Sequence, residues 1–147
     1  MARRPPSEPL ILFLDENLDG DAIADVLNKA GIPIKRLSVE FQTGIEDVDW
    51  IPTVARNHWA IITRDARIRR RAVERDAVFE SAAILVALRG RDLSGEAMAA
   101  MIVAAYPRIA HNVETRRAPM ILYVSRDGDV ELKDGGQRRG GPKPPSK

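Results

Sequence analysis

The apolar run Leu10–Leu14 stops abruptly on Asp15, Glu16 and Asn17. An unbroken apolar stretch of that length is what a strand covered on both faces requires. Leu18, Ala22, Ile23, Val26, Leu27 and Ala30 then recur at helical spacing, and Gly31 stands where a C′ glycine ends a helix. Residues 32–41, IPIKRLSVEF, alternate roughly at period two and predict a second, less buried strand. Asp47 to Asn57 predicts a short helix with Val48, Ile51, Val54 and Ala55 on one face. Trp59–Thr63 predicts a third strand, Ala66–Phe79 a helix, Ala82–Leu88 a fourth strand, and Leu93–Ala110 an Ala- and Met-rich helix capped by Ser94 or Asp92. The last pattern is different: Met120–Ser125 and Val130–Lys133 flank RDGD, where Asp-Gly between two β-like runs predicts a hairpin.

Strands and helices alternating at this length predict an α/β fold, with a mainly parallel central sheet, helices on both faces and a C-terminal β-hairpin. The 147 residues are enough for one domain with a full core, and no apolar run approaches the length of a membrane span. The domain is expected over residues 9–133, between a flexible tail at 1–8 and a disordered basic Gly- and Pro-rich tail at 134–147. Charge is divided unevenly. The formal net charge is +2, but the tails carry +1 and +3, which leaves residues 9–133 at −2. With no cysteine there is no disulfide framework, thiolate zinc site or Cys nucleophile, and with no apolar leader the expected location is the cytoplasm.

In an open parallel sheet, chemistry gathers at the carboxyl ends of the strands. Asp15 and Glu16 follow the first strand directly, and Asp65 follows the third in AIITRD. Adjacent strands lie about 4.8 Å apart, so carboxylates at two strand ends can share one ion. Glu46, Asp47 and Asp49 open the helix before the third strand; a helix-capping role competes there with metal binding. Asp65 has the same competing role for the helix after it. Asp15 does not, because an acid at the buried end of an apolar strand is costly unless it is paired or holds a metal. Carboxylates of this kind suit Mg²⁺ or Mn²⁺.

LFLDEN, an acid-rich helix start and then IITRD together resemble the PIN-like nucleases, in particular the VapC-type toxin branch, over roughly residues 10–88. The resemblance implies a PIN-like three-layer fold and a metal-dependent ribonuclease, commonly the toxin of a type II toxin–antitoxin pair held by a small antitoxin, with a homodimer common. It implies Asp15, Asp47 and Asp65 as the catalytic, metal-binding acids, with Asp49 as the alternative to Asp47 and Glu16 as a further ligand. A fourth acid of the family pattern has two candidates, Asp76 and Asp92. The alternative function is a catalytically degenerate PIN-like module that acts through protein or RNA partners.

Arg64, Arg67, Arg69, Arg70, Arg71 and Arg75 crowd the segment that begins at Asp65. Arg67, Arg71 and Arg75 share a helical face, and Arg64, Arg67 and Arg71 are the expected phosphate contacts; a solvated face paired with acids is the competing reading. Trp50 and Trp59 sit in apolar patterns and read as core, and His58 and His111 as surface or interface residues. A receiver-type signalling domain would need a Ser or Thr after the fourth strand and a Lys after the fifth. Those places hold Leu88-Arg89 and Ser125-Arg126. No glycine-rich turn follows the first strand, which excludes P-loop and dinucleotide sites.

Overall fold

The order in which the strands pair decides where a site can form. In the computed structural model, which describes residues 9–16, 18, 20–42, 44–64 and 72–138 apart from the side chains of Asp47 and residues 72–74, six strands form one sheet in the order β2-β1-β3-β4-β5-β6. They are β1 (Leu12–Leu14), β2 (Ile34–Arg36), β3 (Ala60–Arg64), β4 (Ile84–Leu88), β5 (Met120–Val124) and β6 (Val130–Gly135). All neighbours are parallel except β5 and β6. The helices are α1 (Asp21–Lys29), α2 (Leu37–Glu40), α3 (Asp47–Arg56), α4 (Ala72–Glu80) and α5 (Gly95–Thr115).

Side chains alternate between the two faces of each strand, and each face has its own core. Leu12, Leu14, Ala60, Ile62, Ile84, Val86, Leu88, Met120, Leu122 and Val124 pack with Ile23 and Leu27 of α1 and with Met98, Met101, Ile102, Ala105, Ile109 and Val113 of α5. Phe13, Ile61, Leu85 and Ile121 face the other way, onto Trp50, Ile51, Val54 and Ala55 of α3 and Val78 of α4. This is the three-layer α/β arrangement the pattern predicts. It also explains why the inner strands read as continuous apolar runs: both of their faces are covered.

Several details depart from expectation, each for a local reason. Residues 32–41 do not form one strand; only Ile34–Arg36 pairs, with Leu12–Leu14, and the chain then turns into the short α2. β1 offers β2 no partners beyond its three residues, because it ends where Asp15 begins a turn. On α3 the buried stripe holds Trp50 in place of Val48, which is exposed. α5 begins later than expected, with the Ser94 hydroxyl accepting a hydrogen bond from the Ala97 amide, and runs on past Ala110 to Thr115. It continues because Val113, four residues after Ile109, extends the buried stripe. The folded chain also passes the expected boundary at residue 133: β6 includes Asp134 and Gly135, and Arg138 pairs with Arg116.

The hairpin is where RDGD predicts it. Gly128 adopts φ +85°, its amide donates to the Ser125 carbonyl, and a Cβ there would lie 2.7 Å from the Ala104 Cβ. Gly128→Ala therefore meets both an unfavourable left-handed backbone and a clash with α5. Chemical denaturation should show it less stable by about 1–3 kcal/mol.

Candidate active site

α1 connects β1 to β2 across one face of the sheet, and α3 leads from β2 to β3 across the other. Because β2 and β3 flank β1 on opposite sides, the crossovers diverge there and leave a crevice at the carboxyl ends of β1 and β3. This topological switch point is where open α/β sheets bind ligands.

Asp15 occupies it. Leu14 pairs with Ile62, and the Asp15 amide donates to the Ile62 carbonyl at 3.4 Å, which sets Asp15 beside Thr63. Asp15 is 5% exposed and Thr63 4%, the buried polar residues of the described chain. The Thr63 Oγ1 donates to Asp15 Oδ2 at 2.5 Å. Two residues nearer the start of β1 on the same face, the Phe13 ring lies 4.9 Å from that of Trp50 and 6.0 Å from that of Trp59. Asp15 thus shares its face of β1 with an aromatic cluster, and the Thr63 hydroxyl orients its carboxylate. A carboxylate this far from water needs such a hydrogen bond, a cation, or both.

Of the other expected site residues, Glu16 is exposed in the turn after Asp15. Asp49 is exposed on α3. Asp47 opens α3, which starts on the carboxyl side of the sheet, and precedes the buried Trp50, Ile51 and Val54 by three, four and seven residues. Its side chain lies outside the described residues, as do Asp65, Arg67 and Arg71 entirely. Asp65 follows Arg64, the last residue of β3, in the chain. Arg64 is half-buried and, by alternation, on the opposite face from Thr63. Arg75, the third member of the expected arginine face, pairs with Asp134 of β6. Asp76 on α4 and Asp92 after β4 are both exposed, Asp92 with a φ of +52°. Among the described residues no three His, Asp or Glu side chains come together to hold a metal.

The donor chemistry nevertheless fits a hard cation. The buried charged group at the switch point is a carboxylate, the chain has no thiolate, and both histidines are remote. His58 precedes β3 at the opposite end of the sheet, and His111 lies in the last two turns of α5. Oxygen donors are the ligands that hard divalent cations such as Mg²⁺, Mn²⁺ and Ca²⁺ take.

Thr63 is a functional candidate the sequence reading did not single out. Its signal was present, as a hydroxyl that interrupts a buried apolar strand next to the charged Arg64-Asp65. Its partnership with Asp15, 48 residues away, depends on strand register. Thr63→Val keeps the shape and removes the donor. If Asp15 does chemistry, turnover should fall about 10- to 100-fold, as for other groups that orient a ligand, and Thr63→Ser should restore most of it.

A PIN like domain model matches residues 10–90, more than half of the chain, and the protein belongs to that family. Among curated proteins, it is 29% identical over 103 residues to one from Mycobacterium tuberculosis (strain ATCC 25618 / H37Rv) named "Putative ribonuclease VapC45", a span that covers 67% of this chain and 75% of that one. No solved structure matches it. The matched region begins at Leu10, at the start of the run that leads into Asp15, and ends at Gly90, just past β4. Among the described residues no helix is long and apolar enough to cross a membrane.

Proposed function

We propose that this protein is a ribonuclease dependent on Mg²⁺ or Mn²⁺, acting in the cytoplasm as the toxin of a type II toxin–antitoxin pair. The observation that carries the reading is Asp15, a buried carboxylate at the switch point of a PIN-family sheet, oriented by Thr63. The name of the mycobacterial relative supports the substrate. Asp15, Asp47 and Asp65 would hold the ion, with Asp49 or Glu16 as further ligands. Asp47, at the start of α3, is the choice for the intervening acid, and Asp49, exposed on the same helix, is its alternative. A bound divalent ion supplies a Lewis acid for a phosphodiester oxygen and lowers the pKa of a coordinated water.

The chain's own groups set the rest of the reaction. Asp15 contributes negative charge that repels a phosphodiester, and a cation held there would relieve that repulsion, so metal binding would favour substrate binding. Thr63 holds the Asp15 carboxylate in one rotamer, which removes reorganisation from the reactive complex. Arg64, Arg67 and Arg71 would hold the neighbouring phosphates, a contact that fixes register without reading bases. The antitoxin and a homodimer are the partners that complete this reading. Induced expression of the full chain in a bacterial host tests it: arrested growth with cleaved cellular RNA is expected, and growth equal to that with Asp65→Asn would overturn the toxin assignment. A module that only binds partners would instead give no RNA cleavage with any divalent ion.

A further inference from the structure

The sheet register carries the site's row onward to a feature that PIN-type chemistry at Asp15 does not use. Thr63, beside Asp15, pairs with Ala87 of β4, Ala87 with Tyr123 of β5, and Tyr123 with Glu131 of β6. Asp15 and Tyr123 therefore stand on the same face and the same edge, three strand spacings or about 14 Å apart. Tyr123 is half-buried against the core on the α3 and α4 side of the sheet, and its ring has two cations beside it. The Arg89 guanidinium lies 5.0 Å from the ring centroid and the Lys133 ammonium 5.7 Å. Arg89 comes from the residue after β4, and Lys133 from β6 beside its register irregularity. The pair therefore exists only because three strands converge on Tyr123.

We propose that Arg89 and Lys133, held against Tyr123, form a phosphate-contacting subsite for single-stranded RNA that leads to Asp15; this rests on the ribonuclease reading above. Cation–π contact orders two long, entropy-rich side chains before any ligand arrives, which reduces the cost of binding. Arg89 is 51% exposed, and its planar fork matches a phosphate. Its present partner is Glu131, at 3.6 Å and 67% exposed, a solvent-screened pair easily exchanged for a stronger anion. Glu131 is thus a competitor that RNA displaces. A single strand seated there is long enough to place a phosphate a few nucleotides away at Asp15, and its flexible backbone follows the edge of the sheet.

The test uses the full chain in the Asp15→Asn background, which blocks turnover, and a fluorescent single-stranded RNA whose anisotropy is read across a salt series. Arg89→Ala/Lys133→Ala should weaken binding at low salt about tenfold and reduce the slope of log K against log salt by about 1.4, that of two phosphate contacts on a single strand. Glu131→Gln should tighten binding, an effect that a misfolded variant would not produce. Unchanged affinity and slope in the double variant overturn the subsite. Displacement of the RNA by polyglutamate at matched charge, lost in the double variant, also overturns it, because the pair would then be a contact for an acidic protein. Cleavage of the same RNA by the wild type is measured in parallel. Cleavage with an unaltered double variant sinks the subsite alone, whereas neither cleavage nor binding sinks both proposals.

Discussion

Asp15→Asn should reduce RNA cleavage about 100- to 1,000-fold, the several kcal/mol of transition-state stabilisation that a metal site supplies. The substitution is nearly isosteric, and the amide oxygen still accepts a hydrogen bond, so the Thr63 hydroxyl keeps its partner. What changes is the charge. A carboxylate 5% exposed costs folding free energy that a neutral amide does not, so without divalent ion the variant should be at least as stable as the wild type. Added Mn²⁺ should reverse that order. At about 100 times its dissociation constant, an ion that binds only the folded chain contributes about 2.7 kcal/mol, on the order of 10 °C in Tm for a domain of this size. The wild type should show this gain and Asp15→Asn should not. A variant that lost activity by misfolding would instead be less stable with and without metal. Thermal unfolding with Mn²⁺ and with EDTA therefore separates the two explanations, and an equal Mn²⁺ response in both proteins would remove Asp15 from the metal site.

The sequence made one part of this site readable and hid another. An all-apolar run ending in Asp15 has few structural explanations, because burial of an acid must be compensated; the same logic does not apply to Asp49, which sits exposed on a helix. Alternation of strand and helix was enough to predict the layers, since each strand needs covering on both faces. Register was not readable. Which residue of β3 lies beside Asp15 depends on where two strands 48 residues apart come to rest, so Thr63 passed unnoticed within IITRD. Tyr123, Arg89 and Lys133 were harder still, because three strands and an irregularity in β6 bring them together. Edge effects were hidden for a related reason. The period-two pattern of residues 32–41 is genuine, but a strand pairs only as far as its neighbour extends, and β1 contributes three residues.

Phe13→Ala should be the most destabilising single change in the sheet. The ring is fully buried and meets Trp50 at 4.9 Å, Phe41 edge-on at 5.8 Å and Trp59 stacked at 6.0 Å. Removing it leaves a cavity walled by three aromatic residues, one on α3 and two from the segments that follow α2 and precede β3, too large to collapse fully. The expected loss is about 3–5 kcal/mol, measured as a lower urea midpoint with an unchanged slope. Phe13→Leu fills most of the volume and should lose less than half as much. The position also connects folding to chemistry, because Phe13, in the aromatic cluster, and Asp15 are alternate residues on the same face of β1. If that cluster only stabilises the fold, Phe13→Leu should cleave RNA at the wild-type rate per folded molecule. If it also fixes the height of Asp15 against Thr63, the rate should fall although the variant remains folded, and the affinity for Mn²⁺ should weaken with it.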